Sequence, residues 1–255
     1  MTAVSSLYND PKVKEAASKW LNQLQKSVYA WTISDQLLQR KGDVETCYFA
    51  AQTMRSKFQY SFTEVPPSSH TSLKSSLMVH LTSLSSTTSP AIITQLCLAI
   101  ADLILLMPEW STALSELISA LSTINTIPLL EVVLLLPEEV DSRHLRLGAN
   151  RRQQVKEMLA SSSPHITQFL ASVLATGQDQ LKVITVKCYS SWMTLGAISL
   201  DTVLASPVMG CAVGALSSPN SPPTLHEAAS DCMISLLGRI EREDCGDLVQ
   251  STVTS

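Results

Sequence analysis

Apolar residues recur along this chain at intervals of three and four, the spacing that places them on one side of an α-helix. Lys12–Lys26 carries Ala16, Trp20, Leu21 and Leu24 on one predicted face; Ala30–Gln39 carries Trp31, Ile33, Leu37 and Leu38. Val44–Tyr60 follows with Tyr48, Ala51, Met54 and Phe58. The same pattern predicts helices at Ser69–Leu84, Ala91–Met107, Glu109–Ser122, Pro128–Leu136, Asp179–Leu195 and Thr224–Ile240. Asn150–Ser161 and Ser163–Ala175 read as two helices or as one bent at Ser163-Pro164, and Asp201–Leu216 as a helix interrupted by Pro207. The tail of an earlier helix is expected at Ala3–Tyr8. Short Ser/Pro/Gly breaks separate these segments. Asp10-Pro11 and Ser89-Pro90 pair a capping side chain with a proline suited to the first helical position, and Thr224-x-x-Glu227 has the form of a capping box. Pro137 is expected to stop the helix before it.

Taken in pairs, the helices make units of about 35 to 50 residues, near the HEAT/armadillo period. One pair cannot bury its own apolar faces, so neighbours must stack. The expected fold is all-α: a HEAT/armadillo-like helical-repeat solenoid, a right-handed α-α superhelix of about six helix pairs. An irregular helical bundle has the same periodicity.

Composition sharpens this picture. Glycine is sparse, with 8 in 255 residues, and neither Asn-Gly nor Asp-Gly occurs, so the strongest hairpin signal is missing. Hydrophobic residues make up 45% and charged residues only 16%, against an average near 25%. Residues 1–80 hold nine Lys/Arg and six Asp/Glu, whereas residues 81–255 hold nine and sixteen. No domain is basic enough to neutralise a run of phosphates, so nucleic-acid binding is not expected. Ala91–Met107 has a single charge, Asp102, and is at the lower limit for a membrane span. Its amphipathic neighbours of similar length predict a buried helix instead. The six cysteines form no Cys-x-x-Cys, and the start of the chain lacks the basic flank and apolar run of a signal peptide, which together predict a reducing compartment.

Motifs for chemistry are absent. No nucleophile elbow, phosphate-binding glycine loop or His-Glu-x-x-His occurs, and His70, His80, His144, His165 and His226 lack metal-ligand spacing. No catalytic residue, metal or cofactor is expected. Trp20, Trp31, Trp110 and Trp192 are expected to pack between helices. One segment stands out for charge: Glu138, Glu139 and Asp141 adjoin Arg143, Arg146, Arg151, Arg152 and Lys156. The five basic groups could attract phosphate, but the carboxylates, with Glu157, partly cancel their field. The segment is expected to serve as a contact surface, not as a catalytic one.

Six segments together resemble the transportin-3/importin-13 branch of the importin-β-type nuclear transport receptors over roughly residues 7–243. They are Trp31-Thr-Ile-Ser-Asp-Gln-Leu-Leu-Gln39, Asp43-Val-Glu-Thr-Cys-Tyr-Phe-Ala-Ala-Gln-Thr-Met54, Thr94-Gln-Leu-Cys-Leu-Ala-Ile-Ala-Asp-Leu103, Leu136-Pro-Glu-Glu-Val140, Arg146-Leu-Gly-Ala-Asn-Arg-Arg152 and Leu225-His-Glu-Ala-Ala-Ser-Asp-Cys232. The resemblance implies HEAT repeats, with an importin N-terminal-like part at about 1–88, an exportin-1/importin-β-like part at about 89–243, and a tail, 244–255, without clear structure. It implies binding of Ran in its GTP form, contact with nucleoporins and shuttling between cytoplasm and nucleus. On the transportin-3 side it implies serine/arginine-rich cargo, bound by repeats that this chain is expected to lack. Ran would lie on the concave wall formed by Lys12–Lys26, Val44–Tyr60 and Pro90–Met107, with Gln52, Arg55 and Gln95 as contact candidates. Ala50-Ala51 and Met54-Arg55-Ser56 match a family pattern of Ala-Ala followed by Leu-Lys-Asn, from which Ser56 departs. An adaptor solenoid without Ran binding would need the same core.

Overall fold

Twelve helices account for the described secondary structure, apart from two 3-10 turns, and no strand occurs among the described residues. The computed structural model describes residues 14–253 apart from Arg146, and side chains as far as Glu243; the expected helix tail at Ala3–Tyr8 and the Asp10-Pro11 start lie outside them. Helices α1 (Lys14–Lys26), α2 (Ala30–Arg40), α3 (Val44–Ser61), α4 (His70–Thr82), α5 (Pro90–Leu106) and α6 (Ala113–Leu121) come first. They are followed by α7 (Thr126–Val140), α8 (Ala149–Ala175), α9 (Asp179–Thr194), α10 (Leu200–Leu204), α11 (Pro207–Ser217) and α12 (Pro223–Val253). The chain forms two compact units: residues to Val132 with Ser142–Gly148, and Val133–Asp141 with the residues from Ala149 on. Each is an array of HEAT-like helix pairs, the helical-repeat fold that the sequence predicts.

In the first unit α3 packs against α1, α2 and α5, and α5 also packs against α4. This position explains the hydropathy of α5. Every residue from Leu96 to Leu105 is buried, so the helix is apolar on all sides because neighbours surround it. Among the described residues no helix is long and apolar enough to cross a membrane. Close approach to α3 is allowed by Ala50 and Ala51, both fully buried. Asp43 caps α3, accepting from the Thr46 backbone N–H at 2.8 Å, which holds its carboxyl below the usual range. Asn125 reaches back from the start of α7 to donate to Leu81 O and Thr82 O at 3.1 and 3.0 Å, satisfying the open end of α4.

In the second unit α9 packs on α8, α11 and α12. Trp192 is fully buried there and donates from Nε1 to Val133 O at 2.8 Å. Pro137 makes this bond possible. It lies inside α7, has no N–H, and so leaves Val133 O without its normal partner four residues on. Ser191 donates to the next carbonyl, Leu134 O, at 3.0 Å. At the same end of α9, Arg239 donates to Met193 O at 3.2 Å and also to Ile198 O, just beyond the helix.

Several sequence expectations need correction. α7 runs through Pro137 to Val140, because the one lost backbone bond is replaced from α9. Two other stretches agree with the sequence: α8 is a single helix with Pro164 inside it, one of the two readings of that stretch, and Pro207 interrupts the next as expected, starting α11, where Ser206 accepts from Val208 N. α12 begins at Pro223, with Pro222 O accepting from His226 N at 3.0 Å. Thr224 therefore sits inside the first turn, and the capping box is not formed. The same helix continues to Val253, where the sequence pattern predicts a tail without clear structure; lengthening a helix that is already nucleated costs little even where no apolar stripe guides it. On α1 the buried residues are Ala17 and Leu21, and Trp20 is exposed, so the packed face is rotated from the predicted one. Trp110 and Trp192 are buried as expected, and the half-buried Trp31 packs edge-on against Phe58 at 5.2 Å. His80 is a buried residue that bonds to Asp35 at 2.7 Å, rather than a partly exposed one.

Candidate functional site

The wall of α1, α3 and α5 places the three contact candidates differently. Gln52 is exposed on α3, and Gln95 is half-buried on α5. Arg55, one turn after Gln52, is 21% exposed and lies with Nε 3.7 Å from Oδ2 of Asp102, which is fully buried. With its amide oxygen turned toward the guanidinium, Gln59 accepts from Arg55 Nε at 3.2 Å and from Nη2 at 3.3 Å. Arg55 is thus held from two sides. Its head is fixed in place at the α3–α5 junction instead of swinging freely from the helix. Asp102 and Gln59 were not singled out as site residues in the sequence. The signal was present, since a lone charge in an apolar helix must find a cation or a set of donors nearby.

Other polar groups along the same helices are anchored too. Lys57 is buried, pairs with Glu64 at 2.6 Å and lies 5.6 Å over the Trp31 ring. That contact holds the Glu64 carboxyl below its usual range. Thr94 donates to Glu131, whose burial pushes its carboxyl up despite that bond.

The acidic/basic segment is divided. Asp141 pairs with Lys156 at 3.2 Å and lies 4.0 Å from Arg152. Arg152 also donates to Val140 O and so caps α7. Arg151 and Glu139 are half-buried, Arg143 and Glu138 are exposed, and Arg146 lies outside the described residues. Within the second unit, α7, α9 and α12 border a cleft of about 440 Å³, with Leu134, Pro137, Leu195 and Ala228 as apolar lining. Glu138, Asp141, Asp231 and Lys187 are the charged groups that line it. Although the Glu138 side chain reaches the surface, its partial desolvation raises the carboxyl above its usual range, and the adjacent Glu139 adds to the effect. No group of three or more His, Cys, Asp or Glu side chains among the described residues could hold a metal ion.

Comparison with known proteins gives this geometry a context. Residues 17–83 match the importin-beta N-terminal domain, and residues 89–233 match the family described as Exportin 1-like protein. Importin-13 of Bos taurus is 32% identical over 209 residues, which is 76% of this chain and 21% of that protein. Importin-13 of Gallus gallus is 31% identical over 93% of this chain and 25% of its own length. Transportin MOS14 of Arabidopsis thaliana is 30% identical over 98% and 26%, respectively. The chain therefore spans about a fifth to a quarter of the length of the curated relatives it matches. With one family match covering more than half of its residues and the other the helices before it, the chain belongs to the importin-β family.

Proposed function

We propose that this chain carries the Ran-GTP-binding repeats of a nuclear import receptor of the transportin-3 type. The observation that carries this reading is the importin-beta N-terminal match over α1–α4, whose α3 presents Gln52 and an Arg55 fixed against α5, the helix that also carries Gln95. A guanidinium already oriented by Asp102 and Gln59 loses less freedom when a partner docks, so it is a suitable contact for a protein surface. The receptor would shuttle between cytoplasm and nucleus and meet nucleoporins at the pore. Serine/arginine-rich cargo would be held by parts of the relatives' length that this chain does not cover. The segment Glu138, Glu139, Arg143, Arg146, Arg151 and Arg152 is proposed as an accessory contact surface.

A pull-down of the whole chain with Ran, loaded either with a non-hydrolysable GTP analogue or with GDP, tests the reading. Weak capture of the GTP form and weaker capture of the GDP form are expected, with Gln52→Ala and Gln95→Ala reducing the first. Equal capture of both forms, or none, would favour a helical-repeat adaptor without Ran binding.

A further inference from the structure

Five serines of the chain precede a proline: Ser89, Ser163, Ser206, Ser218 and Ser221. Proline offers no backbone N–H, and a serine before it in an accessible, extended segment is what a proline-directed kinase reads. The fold treats the five differently. Ser163 is half-buried inside α8, on a coiled backbone. Ser206 is committed as the cap of α11, accepting from Val208 N at 3.2 Å. Ser89 is half-buried at the start of α5, where its carbonyl accepts from Ile92 N and Ile93 N at 3.0 and 3.2 Å. The Ser221 hydroxyl is shut off from solvent. Ser218 differs on every count. It is exposed, its backbone is extended (φ −97°, ψ 121°), and its hydroxyl bonds to no described residue. Pro219 and Asn220 beside it are exposed too, and one backbone bond, from Ser221 N to Ser218 O at 3.2 Å, closes the turn.

We propose that Ser218 is a phosphorylation site for a proline-directed serine kinase, and that the phosphate loosens the end of α11. In the transfer the Ser218 oxygen bonds to the γ-phosphorus of ATP and the bond from that phosphorus to the β–γ bridging oxygen breaks. ADP leaves, and the hydroxyl proton passes to a carboxylate of the kinase. The added dianion stands at the C-terminal end of α11, whose last carbonyls already carry partial negative charge. The surrounding sequence brings no cation to offset it, since no Lys or Arg occurs between Lys187 and Arg239. Arg239 itself is bonded to Met193 O and Ile198 O. The helix is also weak where the charge arrives. Gly210 and Gly214 occupy two of its 11 positions, and a Cβ on either would meet nothing within 4 Å. Packing therefore does not demand glycine there, and the cost in helix propensity leaves the last turn easy to unwind.

The test incubates the whole chain with Mg-ATP and an active cyclin-dependent kinase, and maps the phosphate by mass spectrometry. Short peptides, each spanning one of the Ser-Pro pairs, run in parallel and report what the kinase accepts without the fold. Relative to its peptide, Ser218 in the folded chain should be modified at least about tenfold faster than any other Ser-Pro serine, because the rest need local opening first. Ser218→Ala should abolish the main signal. Gly214→Ala stiffens the turn that must unwind for the kinase to read the residues before Ser218, and should slow modification by about two- to fivefold. In the phosphorylated chain, hydrogen exchange in the last turn of α11 should quicken by about two- to fivefold, while the buried part of α9 keeps its rate. Modification led by Ser89 or Ser221, none at Ser218 in chain or peptide, or unchanged exchange in α11 after modification would overturn the proposal.

Discussion

Replacing Arg55 by methionine keeps most of the side chain's apolar stem and removes the charge beside Asp102. At 3.7 Å the attraction between the two unit charges is about 4.5 kcal/mol for an effective dielectric near 20. Asp102 has no solvent exposure, so water cannot replace the lost guanidinium. Removing one partner of such a buried pair costs about 3–5 kcal/mol, a large share of a usual net stability of about 5–15 kcal/mol. Replacing both partners, as in Arg55→Met with Asp102→Leu, removes the charge that needs compensation and should recover most of that loss. The cycle is measured by urea denaturation at neutral pH, followed by circular dichroism, with hydrogen exchange in α3 and α5 to locate the damage. A coupling energy above about 2 kcal/mol is expected, nearly independent of salt because the carboxylate is buried. If Arg55→Met costs under about 1 kcal/mol and the two substitutions simply add, Asp102 draws its stability from elsewhere and Arg55 is not held in the way described.

Two further outcomes follow from the burial or exposure of named side chains. Burial raises the folded-state pKa of Glu131 above its ordinary 4.5, so the stability it contributes is present at low pH and is lost as pH rises through the raised value. Glu131→Gln, which can still accept from Thr94, should therefore melt with the parent at about pH 4 and increasingly above it toward pH 7; an advantage that shrinks with rising pH would reverse the sign of the argument. On α12, Ile234 and Leu237 are 67% and 57% exposed, neighbours on the side away from the buried Leu225, Cys232 and Leu236. Changing both to glutamate should shift stability by no more than about 1 kcal/mol while reducing self-association in sedimentation velocity; a drop of several kcal/mol would show that this face is covered.

The helices were legible because burial on one side imposes a three-and-four spacing, and the HEAT-like pairing followed from their lengths. Errors arose where a local rule met a tertiary partner. Proline rules place an end at Pro137, yet the bare carbonyl is taken by Trp192, a residue 59 positions from its acceptor, and no local pattern announces that bond. On α1, Ala16, Trp20, Leu21 and Leu24 share one spacing and Ala17 with Leu21 another, and the helix alone cannot tell which of the two overlapping faces is packed. The candidate wall was legible only as a set of polar positions on α3 and α5. That Arg55 is clamped while Gln52 is open depends on how α5 is rotated, which brings Asp102 beneath the guanidinium. The cleft was invisible for the same reason: Glu138, Lys187 and Asp231 come from three helices far apart in the chain, with no shared motif.

The bond between Trp192 and the carbonyl exposed by Pro137 also bears on how similar repeats avoid confusion. Successive repeat helices look alike, and an apolar face tolerates sliding by one turn, about 5.4 Å, with little change in buried area. A helix interior normally offers no spare acceptor to a neighbour. By deleting one rung, Pro137 creates a single unmatched position along the buried side of α7, and the indole N–H of α9 is satisfied only there. Sliding by a turn would strand both groups in an apolar setting. The missing rung thus works as an address, directing α9 to one berth on α7 and penalising the mis-stacked arrangements that a chain of near-equivalent helices would otherwise sample as it folds.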